Sequence, residues 1–283
     1  MSPAEPRIAV IVPCFDDGET LEDALATLRE QEPCEVVIVN DGSGDAATLA
    51  TLQDLRSRGV TVVDQANQGL AAARMTGVRA TRAPFVYPLD ADDGVAPGAL
   101  TRLADALEAR PDAALAWGDQ QLFGELSLHA RRGDSLDPWL ITHVNMLPVS
   151  ALIRRSDLVA AGGWQLHGGY EDWDLWMALA ERGRGGFRVP GPSQLYRVRS
   201  DRMLADTFAR HDEQFALLRA RHDDLFRRRR SAWRRSSAAW HQRLLIPVAA
   251  HLPFAGERTR HRAALFLSQP VHGVRSTWRR FAG

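Results

Sequence analysis

At 283 residues the chain is long enough to bury a full core, organised as one or two domains. Its 45% hydrophobic and 25% charged content is ordinary for a soluble globular protein. The longest apolar stretch, Leu244 to Phe254, is cut by Pro247 and Pro253 and is too short to span a bilayer. No opening segment has the basic, apolar and small-residue order of a signal peptide, so the sequence reads as cytoplasmic. Cys14 and Cys34 are the only cysteines, and their spacing excludes a zinc or redox motif. The net charge of zero hides an asymmetry: Phe226 to Gly283 holds 13 Arg against Glu257 alone, a charge of +12, which leaves residues 1–225 at −12.

In chain order, Arg7 to Val12 predicts a first strand buried on both faces, because its apolar run is unbroken. It ends at PCFDDGE, and Thr20 to Glu30 carries Leu21, Ala24, Leu25 and Leu28 at helical spacing. Val36 to Val39 predicts a second strand ending at NDGSGD, and Ala47 to Arg58 a helix stopped by Gly59. A third strand, Val60 to Val63, ends at DQANQG and precedes a helix over Gly69 to Ala80. A fourth strand, Phe85 to Leu89, opens onto DADD. Four strand–helix alternations with short loops predict a mostly parallel α/β sheet with helices on both faces. Further on, Leu100 to Leu107 reads as a helix and Ala113 to Trp117 as a fifth strand. Val149 to Ile153, Phe187 to Val189 and Leu195 to Val198 read as short strands, while Gln120 to His143 yields no clear pattern. Asp172 to Arg182 predicts a helix with Trp173, Trp176 and Leu179 on one face. From Asp206, Phe208, Phe215, Leu218 and Leu225 suggest one long amphipathic helix running into the Arg block.

Four successive strand ends thus carry PCFDD, NDGS, NQG and LDADD, and ligands of open α/β sheets bind at the carboxyl ends of the strands. Asp90, Asp92 and Asp93 crowd one turn, where they either form a solvated, helix-capping loop or hold a hard divalent cation. Gly42, Gly44 and Ala47 fit a dinucleotide fingerprint. Asp41, however, sets a negative charge beside the proposed pyrophosphate, and the loop follows the second strand rather than the first. Asp41 serves either a tight turn or a nucleobase N–H. Glu171 and Asp172 either complement a helix dipole or supply a general base. Trp164, Trp173 and Trp176 line an acceptor site or pack in the core.

VIVPCFDDGETLEDALATL, VVIVNDGSGD, NQGLAAARMTG, FVYPLDADD and GGYEDWDLWMALAERG occur in that order between Arg7 and Met203. Together they resemble a family 2 glycosyltransferase of the GT-A fold. The resemblance implies a catalytic domain over residues 1–205 and inverting transfer of a sugar from a nucleotide sugar, with a UDP-linked donor favoured; residues 206–283 lie outside it and read as a helical basic extension. The acceptor would be a hydroxyl of a lipid-linked or cell-surface glycan, or of a secondary metabolite. It places Pro13, Phe15, Asp16 and Asp41 on the nucleobase side, Arg74 on the nucleotide, and Trp173 at the acceptor. Asp90 and Asp92 would form the DxD pair holding Mn²⁺ or Mg²⁺, Asp172 the base with Glu171 beside it, and Arg197, Arg199 and Arg202 a clasp on the diphosphate.

Departures from the family pattern are Asn40 in place of a first Asp, Met75 in place of Asn, and Arg199 in place of His. Gln194 and Arg197 give only a fragment of the processive QxxRW motif, so processive synthesis is not expected. The Arg-rich tail, with Trp233 and Trp240 among its cations, suits an anionic membrane surface or docking on the acidic catalytic domain, and nucleic acid less well. The competing function is a nucleotide-binding or membrane-adaptor protein that keeps the fold without turnover.

Overall fold

The structure, a computed structural model, describes residues 5–199, 209–251 and 256–268. Strand β1 (Ile8–Cys14) is buried along its whole length, because β2 (Glu35–Asn40) and β4 (Phe85–Pro88) flank it in parallel and helices cover both faces. Its side chains alternate as a strand requires. Ile8, Val10 and Val12 face α1 (Gly18–Ala26) and α4 (Ala99–Glu108), through Leu21, Leu100 and Leu103. Ile11 faces the opposite cluster, with Ala71 and Val78 of α3 (Leu70–Ala80) and Trp173 and Trp176 of α6 (Glu171–Glu181). Gly77 makes this packing close: a Cβ there would lie 2.3 Å from Ile11 Cγ2.

With α2 (Ala46–Ser57) and β3 (Thr61–Asp64), the first half is the predicted alternation, its strands ordered β3-β2-β1-β4 and all parallel. The second half is mixed. The short β5 (Gly94–Val95) pairs antiparallel with β9 (Gly185–Val198), which runs parallel to β6 (Ala113–Gly124). A hairpin strand, β7 (Leu128–Ala130), pairs with β6. Between β4 and β6 lies β8 (Leu152–Arg154), antiparallel to both and followed by α5 (Arg155–Ala160). The two strands expected at Phe187–Val189 and Leu195–Val198 are one strand, whose register against β6 shifts around Pro192.

The long helix expected from Asp206 is instead α7 (His211–Arg221), α8 (Asp223–Arg227) and α9 (Arg229–Arg235), followed by α10 (Trp240–Ala250) and α11 (Glu257–Ser268). It breaks at His222, whose ring turns inward between Asp174 Oδ1 (3.0 Å) and Glu181 (2.9 Å) of α6. Arg221 also pairs with Asp174. Phe215, Leu218 and Leu225 join the cluster of Trp173 and Trp176, so the first part of the basic extension shares its core with the α/β domain. The expected boundary at 205/206 lies outside the described residues. Among the described residues, no helix is long and apolar enough to cross a membrane.

Candidate active site

The carboxyl ends of β1, β2 and β4 deliver Phe15–Asp17, Asp41 and Leu89–Asp93 to one edge of the sheet. Phe15 stands 48% exposed there, an apolar face available to a planar ligand, while Pro13 is buried within β1. Asp41 is buried and organises the loop ahead of α3. Its Oδ1 accepts from Gln68 N (2.9 Å) and Gln65 Nε2 (2.7 Å), and its Oδ2 from Gly69 N (2.9 Å).

Asp16 is exposed at the same edge and binds the neighbouring loop through one carboxylate oxygen. Its Oδ1 accepts from the backbone N–H groups of Gly44 (2.8 Å) and Asp45 (2.9 Å), and Asp45 itself caps Thr48 N. The N–H groups that a dinucleotide phosphate would need are therefore satisfied by protein carboxylates, which removes the physical basis of the glycine fingerprint.

Arg74 is also placed differently from expectation. Rather than opening onto the cleft, its guanidinium is 1% exposed and joins two parts of the site, donating to Asp90 Oδ1 at 2.7 Å and Glu171 Oε1 at 2.9 Å. The indole of Trp164 lies against it, 5.7 Å from ring centroid to guanidinium carbon. Burial disfavours the Arg74 charge, but Asp90 and Glu171 outweigh it and hold the group protonated.

Asp172 sits at the start of α6, preceded by Tyr170 with φ of 60°. Its Oδ1 accepts from Trp173 N (2.7 Å) and its Oδ2 from Asn145 Nδ2 (2.9 Å). Burial, with the charge of Glu171 second, pushes its carboxyl up to about 7. The residue nevertheless keeps partial solvent access. Asn145 was not foreseen. It lies in an irregular loop between buried Val144 and Met146, and no local pattern distinguishes its amide from any other loop polar group. Trp173 corrects the acceptor-site expectation: its ring is 2% exposed, with Nε1 donating to Ile141 O at 2.7 Å, so it is a core residue. Trp164 and Trp176 are buried as well.

At the DADD turn, Asp93 is buried and accepts from Arg197 N (2.9 Å) and Gln194 Nε2 (2.5 Å). Gln194 and Arg197 thus hold the turn. Burial, then repulsion from Asp90, raises the carboxyls of both Asp92 and Asp93. Arg199 Nε stands 3.7 Å from Asp92 Oδ2, too far for a direct hydrogen bond, and its Nη1 is 3.8 Å from Asp17. Arg202 lies outside the described residues.

The under-compensated charge on Asp92, an oxygen donor, fits a hard divalent cation. Among the described residues no three His, Cys, Asp or Glu side chains form a metal cage.

The sheet order, the helices on both faces and the acidic cluster at the strand ends define a GT-A-like α/β domain. The S. aureus protein TarS, residues 1–349 in complex with UDP-GlcNAc, has the same fold: a TM-score of 0.60 over 88% of this chain and 73% of that one, at 15% identity. Residues 9–144 match the model for glycosyl transferase family 2, and that stretch of the chain is a domain of this family. EpsJ of Bacillus subtilis, named an uncharacterized glycosyltransferase, is 32% identical over 106 residues, covering 36% of this chain and 31% of EpsJ. The succinoglycan biosynthesis protein ExoO of Rhizobium meliloti is 33% identical over 108 residues, covering 37% of this chain and 30% of ExoO. The chain therefore spans about a third of the length of these curated relatives.

Proposed function

We propose that the protein is an inverting glycosyltransferase that moves a sugar from a nucleotide sugar, a UDP-sugar for preference, to a hydroxyl of a growing glycan. The observation that carries this reading is the Asp90–Arg74–Glu171 bridge, which ties the acidic turn after β4 to the helix bearing Asp172. Donor binding and proton abstraction thereby share one rigid frame. The relatives support the class: ExoO is named for succinoglycan biosynthesis, and TarS was crystallised with UDP-GlcNAc.

In this reading Phe15 packs on the nucleobase and Asp41 fixes the loop beneath it. Asp90 and Asp92 would hold Mn²⁺ or Mg²⁺, which neutralises charge on the departing diphosphate. Arg199 and Arg197 lie on the same side of the turn and add positive charge there. Asp172 accepts the proton of the acceptor hydroxyl as its oxygen bonds to the anomeric carbon and the bond from that carbon to the diphosphate oxygen breaks. A single displacement with one base and no protein nucleophile inverts the configuration.

The test is a thermal-shift panel of UDP, GDP, dTDP and NAD, each with and without Mn²⁺. Ligand at 100 times its dissociation constant stabilises by about 2.7 kcal/mol. A shift with one nucleoside diphosphate that grows with Mn²⁺ supports the reading. A shift with NAD alone overturns it.

A further inference from the structure

Among the described residues, the C-terminal helices leave an apolar face uncovered. On α10, Ile246 and Ala249 turn inward, and Ile246 packs with Trp139, Leu140 and Ala264 of the neighbouring elements. The opposite side presents Trp240 at 77% exposure, Leu244 at 60% and Val248 at 62%, spaced four apart, with Leu245 at 40% beside them. A helix apolar on both sides, one of them in solvent, is not explained by the fold's own core.

The neighbouring helix α9 carries four Arg and no acidic residue. Trp233 of α9 donates from Nε1 to Arg243 O at 2.9 Å, which fastens α9 beside the start of α10. Arg227 and Arg228 are balanced by Asp223 and Asp224. Arg230, Arg234 and Arg235 are exposed and make no ion pair among the described residues. Among the described residues the acidic α/β domain therefore does not neutralise this block, although Arg258 pairs with Asp212 at 3.5 Å and Arg229 bonds the Thr142 carbonyl.

We propose that the outer face of α10, with Arg230, Arg234 and Arg235, docks the protein on an anionic lipid bilayer. The side chains of Trp240, Leu244 and Val248 enter the headgroup–acyl boundary, and the guanidinium groups lie on anionic headgroups. Nucleic acid has no use for the Leu244 and Val248 side chains. A second copy of the chain would bring its own unpaired Arg block against this one. Docking also has a geometric consequence. The inner face of α10 packs on the segment containing Val144 and Met146, which flank Asn145, the partner of Asp172. The site is thereby held one packing layer from the membrane surface, within reach of an acceptor anchored in lipid. Docking itself does not depend on the transferase reading.

The experiment is cosedimentation of the full chain with phosphatidylcholine vesicles, with and without phosphatidylglycerol, alongside light scattering for oligomeric state. The expected result is sedimentation with the anionic vesicles alone. Trp240→Ser and Leu244→Glu/Val248→Glu should abolish it while leaving the melting temperature unchanged. Arg234→Gln/Arg235→Gln should weaken it by about fivefold per residue and flatten its salt dependence. Failure to sediment with anionic vesicles, or binding unaffected by the Trp240 and Leu244/Val248 variants, overturns the proposal. A dimer that Leu244→Glu dissociates, without vesicle binding, would assign the face to a second copy instead.

Discussion

Replacing Arg74 with Met keeps most of the side chain's bulk and removes its charge. The guanidinium is 1% exposed and bonded to Glu171 at 2.9 Å and Asp90 at 2.7 Å. The variant strands Glu171, whose side chain is 14% exposed, whereas Asp90 at 30% retains water around its charge. Breaking a buried pair by removing one partner costs about 3–5 kcal/mol, and the solvent left to Asp90 puts this case near about 3 kcal/mol. For a chain of this size that is roughly 6–12 °C in Tm. Urea unfolding followed by circular dichroism measures it, with Glu171→Gln and the double variant completing a cycle. The double variant should be more stable than Arg74→Met, because the stranded charge is gone. A loss below about 1 kcal/mol for Arg74→Met would refute the bridge, since that is the size of an exposed pair. So would a double variant that recovers nothing.

Other expectations follow from the same geometry. With the Asp172 carboxyl raised to about 7, kcat/KM should climb as pH rises through neutrality, and a profile flat from pH 5 to 9 would remove Asp172 as the base. Asn145→Leu removes a hydrogen bond that favours the charged carboxylate, so the inflection should move to higher pH. The raised Asp172 carboxyl also binds its proton more tightly in the fold than in the unfolded chain. Its contribution to stability should fall as pH rises between about 4 and 7, and Asp172→Asn should lose that slope in chemical unfolding. For His222, burial lowers the pKa, but hydrogen bonds to Asp174 and Glu181 outweigh it and the net shift is upward. Its stabilisation is full below about 6.5 and is lost as pH rises through the higher folded value. The stability gap between wild type and His222→Phe should narrow toward alkaline pH.

The first half of the fold was legible because each of its elements declares itself locally. β1 to β4 are short apolar runs, and the helices between them carry periodic leucines and alanines, so their boundaries fell within a few residues. The second half depends on pairings that leave little local trace. β8 is three residues long and is held between β4 and β6 by partners distant in sequence. β9 contains Pro190 and Pro192, which break the strand pattern on paper but are absorbed where the register against β6 shifts. The break at His222 was invisible because its cause, the acidic pair on α6, lies 41 and 48 residues away.

The site divides in the same way. Carboxylates at strand ends can be read from sequence, but whether they face a ligand or the protein cannot. Asp16, though exposed, also accepts from backbone N–H groups of the neighbouring loop, Arg74 bridges Asp90 and Glu171, Trp173 is a core residue, and Asn145 is an unforeseen partner of Asp172.

The most direct test of the central claim is release of nucleoside diphosphate from a panel of nucleotide sugars, measured for wild type and for Asp172→Asn, with donor binding followed in parallel. Turnover of one donor class should fall by about 100-fold or more in the variant, the usual contribution of a general base, while the donor still binds. Equal turnover in both proteins would contradict Asp172 as the base. Donor binding without turnover in wild type would assign the chain to nucleotide-sugar binding rather than catalysis.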